Sequence, residues 1–303
     1  MSVLPLVQQR RLIIVTGKGG VGKSTLTAAL GQKLASQGKR VLIAEIVPFH
    51  DTPSQLAGAL GGVRPGEEPT LFANNLWVAL LTPTIGHLRF LQDSLPIRLL
   101  ADAAMRSQGL RKFLSAAPGF SDMGVMYRML DLMRREHPSG GPMFEVCIVD
   151  SPATGHALAL AQIPEFLTRV IPGGPIYRAA AEGVRILTDP SICGTVVVTL
   201  PETLPVTEAM ELEKGLAKHK LAVSAIVVNR VPKDPFSPDE RRALSEVLKN
   251  GNSTVFGARE LRRIERAETA LALLREKHPQ SSVVLSEVEG TGAEASKNLA
   301  ALL

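Results

Sequence analysis

The sequence predicts an α/β protein with an open, mostly parallel sheet of seven to eight strands, flanked by helices and interrupted by a helical insertion. Three observations carry this. Short β-branched runs recur along the chain, helical patterns separate most of them, and residues 84–140 contain no strand signal. Runs that are almost continuously apolar suit strands covered on both faces. Alternation of strand with helix suits a parallel sheet. With 303 residues, 45% of them hydrophobic, the chain can bury a sizeable core. We read it as one domain, 1–303.

The elements follow in order. The first strand is expected at 11–16 (RLIIVT) and the first helix at 23–37. The second strand is expected at 40–46 (RVLIAEI), and LWVALL at 76–81 is a further candidate. The insertion, at about 84–140, reads as several helices with breaks near Pro96, Gly109, Pro118-Gly119 and Pro138, and SGGP at 139–142 marks its exit. Met123, Met126, Met129 and Met133 recur every three or four residues, which places them on one helix face. That face suits either an ordinary core or an adaptable apolar groove. Beyond it, strands are expected at 144–150, 194–200, 223–229 and 281–286, with helices over 155–169, 207–219, 238–249 and 258–277.

Composition excludes several classes. The formal charge is +5 and aromatic residues make up 4%. The arginine pairs 10–11, 134–135, 241–242 and 262–263 are scattered and read as solvated helix faces. With neither a basic stripe nor stacking rings, nucleic-acid binding is not indicated. Cys147 and Cys193 have no second Cys or His at metal-ligand spacing, so no zinc is expected. No run approaches the ~18 apolar residues of a membrane span. The apolar stretch Leu12–Val15 is too short for a signal-peptide core, so the chain reads as cytoplasmic.

The segment GKGGVGKST, Gly17–Thr25, carries the chemistry. It fits G-x-x-x-x-G-K-[ST] between an expected strand and an expected helix, the setting of a P-loop NTPase. Gly17, Gly19, Gly20, Val21 and Gly22 supply backbone N–H groups that converge on phosphate oxygens, and the helix N-terminus adds its dipole. Lys23 is expected on the β- and γ-phosphates, Ser24 on Mg²⁺, and Thr25 beside them. Lys18 departs from the plain motif. It resembles the signature lysine of the deviant Walker A class, which includes partition and cell-division ATPases, nitrogenase iron protein and arsenite-pump ATPases. The resemblance implies a dimer in which Lys18 reaches the partner's nucleotide, much as an arginine finger does.

Further motifs narrow the class. FEVCIVDSPATGH at 144–156 ends its strand in Asp150, placed as a Walker B acid that holds the Mg²⁺ shell through water. SPATGH resembles switch II of the arsenite-pump and tail-anchored-protein-targeting ATPases. GTVVVTLPETLPVTEAMELEKGL at 194–216 and AIVVNR at 225–230 are similar to the same family, most closely to its short bacterial members. Asn229 then ends a strand where such proteins read the base. Its amide can pair with the N6/N7 edge of adenine. A guanine reader would want Lys and Asp where Arg230 and Pro232 stand, so ATP is favoured over GTP.

The resemblance frays at AEIVPFHDTPSQL, 44–56. The family's DPAHN supplies an aspartate that positions water. Alignment puts Val47 there, leaving Glu45 or Asp51 as substitutes, or slow hydrolysis. Paired thiolates for a soft metalloid and a CxxC zinc clasp are both missing. The resemblance therefore implies an Mg-ATP-driven dimer, paired with itself or with a paralogue, that couples nucleotide state to capture of a partner, an apolar peptide or a membrane-protein client. The alternatives are a nucleotide-gated binding protein with weak hydrolysis and a partition- or division-site-type regulator.

Overall fold

The computed structural model describes residues 2–94, 105–109, 119–152, 155–249, 255–279 and 281–303. The strands are β1 (Leu12–Gly17), β2 (Val41–Ile46), β3 (Thr70–Ala73), β4 (Leu76–Leu81), β5 (Val146–Asp150), β6 (Cys193–Thr199), β7 (Val223–Val231) and β8 (Ser282–Ser286). They form one sheet in the order β3-β4-β2-β5-β1-β6-β7-β8. All neighbours run parallel except β3, which pairs antiparallel with β4.

Each strand expected from the sequence is present, its ends shifted by a residue or two. β3 is the addition. It is an exposed edge strand, joined to β4 through Asn74 and Asn75, with Asn75 in the left-handed region at φ 59. A tight hairpin needs that conformation, and Asn tolerates it. Because β3 buries little, it carries no apolar alternation for the sequence to show.

The helices, in chain order, are α1 (Leu4–Val7), α2 (Lys23–Ser36), α3 (Gln55–Ala59), α4 (Pro83–Ser94), α5 (Phe120–Arg134), α6 (Gly155–Val170), α7 (Gly174–Thr188), α8 (Thr203–Lys218), α9 (Pro238–Lys249), α10 (Ala258–Lys277) and α11 (Gly292–Leu302). α7, which opens on Gly174-Pro175, was not expected from the sequence. Here the proline falls at the start of the helix, where a missing N–H costs nothing.

Side chains alternate across the sheet, and that alternation builds two cores. On β1, Leu12 and Ile14 join the core beneath α5, α6, α7, α8 and α10. Ile13 and Val15 join the core beneath α1, α2, α3 and α11. The four methionines of α5 lie in the first of these cores. Met126 is fully buried against α7, and a Cβ on Gly183 would meet its sulfur at 2.3 Å. The methionine face is therefore core, with Met123 also reaching the wall of an apolar cavity.

α4 and α5 cross at two glycines. A Cβ on Gly86 would lie 1.7 Å from the Gly124 carbonyl oxygen, and one on Gly124 would lie 2.6 Å from that of Pro83. Nearby, Phe90 and Tyr127 meet edge to face at 5.2 Å. Arg128 of α5 is fully buried. It donates to the Glu67 carbonyl at 2.7 Å and pairs with Asp131 and, at 3.0 Å, with Glu68. Burial opposes ionisation of Glu68, but hydrogen bonds and charges from Arg135, Arg128 and Arg89 outweigh it and bring its pKa down to about 2. This network ties α4 and α5 to the segment before β3. Residues 95–104 and 110–118 of the expected insertion lie outside the described residues.

Gly86→Ala forces one backbone away from the other. It should lower stability by about 1–3 kcal/mol, the usual range for an overpacked contact, read as a reduced urea midpoint at unchanged slope. A wild-type midpoint would refute the crossing.

Candidate functional site

The site lies at the C-terminal edge of the sheet, where β1 has β5 on one side and β6 on the other. Crevices at that edge are where open α/β sheets take ligands. Register sets its contents. Val15 and Glu45 are both partners of Asp150, so the two carboxylates and the end of β1 share one row.

The glycine loop connects β1 to α2, with Gly22 as the left-handed cap of the helix at φ 95. Two of its glycines are required by close neighbours. A Cβ on Gly17 would lie 2.2 Å from the Val198 carbonyl oxygen on β6, and one on Gly22 would lie 2.4 Å from Asn229 Nδ2. Gly19 and Gly20 differ, since a Cβ on either would meet nothing within 4 Å. They face a cleft of about 580 Å³ that Lys23, Ser24, Thr25, Glu45 and Asp150 also line. Val21 is buried, and its carbonyl accepts a 2.9 Å hydrogen bond from Asn229 Nδ2. Asn229 therefore braces the loop, with one amide hydrogen engaged there.

Lys23 folds back over the loop, its Nζ donating to the Lys18 carbonyl at 3.0 Å. Burial lowers its pKa, and the Asp150 charge partly offsets this. Asp150 is buried, and burial pushes its pKa up to about 7. The Ser24 hydrogen bond opposes the shift, the Glu45 charge adds to it, and Lys23 and Thr27 oppose it. Ser151 Oγ, on the cleft wall, is buried with no partner among the described residues.

Lys18 turns the other way. It is not part of the cleft wall, and its side chain, 58% exposed, pairs with Glu208 of α8. The structure thus gathers Lys23, Ser24, Thr25, Asp150 and Asn229 around one loop and points Lys18 out of it.

The anion-transporting ATPase (ArsA) family model matches residues 10–172. The chain belongs to the ArsA-type ATPase family. It is 31% identical over 230 residues to the ATPase BagA of Mycobacterium tuberculosis, covering 73% of this chain and 65% of that one. It is 26% identical over 283 residues to a protein of Aquifex aeolicus named for an arsenical pump-driving ATPase, covering 79% and 87%. With the Arabidopsis thaliana ATPase GET3C it shares 23% over 269 residues, covering 74% and 68%. The chain spans a little under two thirds of the mycobacterial relative's length, 65%.

Within this ArsA-type chain the segment after β2 is arranged in its own way. Val47 is buried on the cleft wall. Glu45 accepts hydrogen bonds from Gln55 N at 2.7 Å, Leu56 N at 3.3 Å and the Ser54 hydroxyl. Its carboxylate anchors the N-terminus of α3, where a negative charge meets unpaired N–H groups. Asp51 is exposed on the connecting loop. The anchoring of Glu45 was not anticipated, although Ser54 before Gln55 is an N-cap signal in the sequence. Ala153 and Thr154 of the SPATGH stretch lie outside the described residues, and no helix among the described residues is long and apolar enough to cross a membrane.

A carboxyl whose pKa is raised on folding keeps a proton that the unfolded chain has already lost. The ligand-free protein should therefore lose stability as pH rises from about 4 toward the Asp150 pKa of about 7. Asp150→Asn should flatten this slope by on the order of 1 kcal/mol per pH unit. Urea unfolding of both proteins at pH 5 and pH 7.5 measures it, and identical slopes would refute it.

Proposed function

We propose that the protein is an Mg-ATP-dependent dimeric switch that hydrolyses ATP to ADP and phosphate and couples nucleotide state to the capture and release of a partner or apolar client. It acts as one P-loop ATPase domain with a helical insertion at about 84–140. The observation that carries the reading is the glycine loop itself, which is open at Gly19 and Gly20, roofed by Lys23 and flanked by Ser24 and Asp150.

The residues fit the ligands. N–H groups of Gly17 through Thr25 and the N-terminus of α2 present partial positive charge to phosphate oxygens. Lys23 takes the β- and γ-phosphates. Ser24 and Asp150, with the orphaned Ser151 hydroxyl beside them, are oxygen donors suited to Mg²⁺, which needs only one or two protein groups when phosphates and water complete its shell. Bound there, Mg²⁺ would supply charge neutralisation on the phosphates and hold Asp150 ionised. Asn229 keeps the loop in shape and offers its remaining amide groups to adenine.

Lys18 serves the partner's site. Its pairing with Glu208 does not prevent this, since an ion pair this exposed is worth at most about 1 kcal/mol and a triphosphate outcompetes it. A client would be apolar. A cavity of about 290 Å³ opens between α4, α5, α6 and α7, with Phe90, Phe120, Met123 and Phe166 on its walls. A second reading, a nucleotide-gated binder with slow turnover, draws on Glu45, which is committed to α3, and on Val47.

Two variants separate these. Lys23→Ala should weaken ATP binding at least about ten-fold, through loss of a charged contact. Lys18→Ala should keep ATP binding and lower turnover by about a hundred-fold or more. Mixing the two inactive variants should restore turnover, because Lys23 of one protomer and Lys18 of the other complete a shared site. Failure of the mixture to recover activity, when Lys18→Ala alone is impaired, would remove the trans role. Wild-type turnover no higher than that of Lys18→Ala would favour the slow binder.

A further inference from the structure

Four arginines clustered on one helix meet a fifth from a neighbouring strand. Arg259, Arg262, Arg263 and Arg266 follow one another at i, i+3, i+4 and i+7 on α10, which places them on one helix face. With Arg230, just past Asn229 on β7, they line a cavity of about 800 Å³. Only Glu202 and Glu287 oppose these five cations. Arg263 pairs with Glu287 at 2.7 Å and with Glu260 at 3.4 Å. Arg230, Arg259, Arg262 and Arg266 have no carboxylate partner among the described residues.

This is not the usual solvated helix face. Arginine on a surface helix is commonly balanced by carboxylates three or four residues away, and like charges at those spacings are unfavourable. α10 contains Glu260, Glu265, Glu268 and Glu276, yet none of them lines this cavity, and of the four only Glu260 pairs with an arginine that does. Arg230 adds a second unfavourable feature, a left-handed backbone at φ 57 in a residue that is neither Gly nor Asn. Strain of this kind collects at ligand sites. Arg230 also lines the glycine-loop cleft, so the two cavities share a wall.

We propose that this cavity is a second anion site, distinct from the glycine loop, that takes a di- or triphosphate group. Guanidinium groups bind phosphate oxygens in pairs. The surplus of positive charge matches a pyrophosphate better than a single carboxylate, and the volume exceeds that of one phosphate. Its concavity favours a compact phosphorylated molecule over an extended nucleic-acid backbone. The proposal does not depend on ATP hydrolysis.

The test is a calorimetric titration of inorganic pyrophosphate into Lys23→Ala protein, repeated on wild type saturated with Mg-ADP, so that the glycine loop does not contribute. Saturable binding is expected. Arg262→Ala with Arg266→Ala should weaken it about ten-fold or more. Arg275→Ala with Lys277→Ala, which remove equal charge from the far end of the same helix, should leave it within about two-fold. All four positions are exposed, so the fold is retained, and a circular-dichroism melt verifies this. Equal weakening by both pairs would reduce the effect to net charge and overturn the site. Binding only at high millimolar concentration would mark an adventitious ion only. A short single-stranded oligonucleotide that outcompetes pyrophosphate through the same arginines would replace the proposal with a nucleic-acid surface.

Discussion

The glycine loop is held by a backbone contact from β6 and a side-chain contact from β7, and the rest of the site depends on this. The Val198 carbonyl on β6 comes so close to Gly17, and the Asn229 amide on β7 so close to Gly22, that neither glycine has room for a Cβ. Two fixed points so near each other leave the intervening backbone only a tight, partly left-handed path. That path starts α2 at Lys23. Without the parallel order β5-β1-β6-β7, nothing would grip the loop from one side while Asp150 and Glu45 approached from the other.

The same two carboxylates explain the electrostatic character of the cleft. Asp150 is buried beside another acid, and Lys23 alone does not compensate, so its pKa climbs. Glu68, at the foot of α4 and α5, is also partly buried but faces three guanidinium groups, and its pKa falls. Local cation supply decides the direction in each case. The α4–α5 pair is thus anchored by an ionic network around Glu68. In the glycine-loop cleft, burial of Asp150 outweighs the stabilisation that Lys23 gives its charge.

Much of this was legible in the residues. The β-branched runs are wholly buried and stand where expected, because a strand covered on both faces has no polar positions to disguise it. The ArsA-type kinship was legible in GKGGVGKST and SPATGH. β3 was not legible, since an exposed edge strand needs no apolar pattern, and α7 was hidden behind a Gly-Gly-Pro start. The methionines of α5 were ambiguous because a helical stripe reports that a face is covered without reporting what covers it. Only the packing of α7 on Met126 decided that.

The sequence by itself determined seven of the eight strands, the glycine loop and the family, because those follow from local spacing and chain direction. The tertiary structure alone decided what each polar side chain does. Asn229 braces Val21, Glu45 anchors α3, Lys18 pairs with Glu208, and Arg230 shares one cavity with four arginines of α10. The partner in each case is set by strand order and helix packing, which bring together residues far apart in sequence.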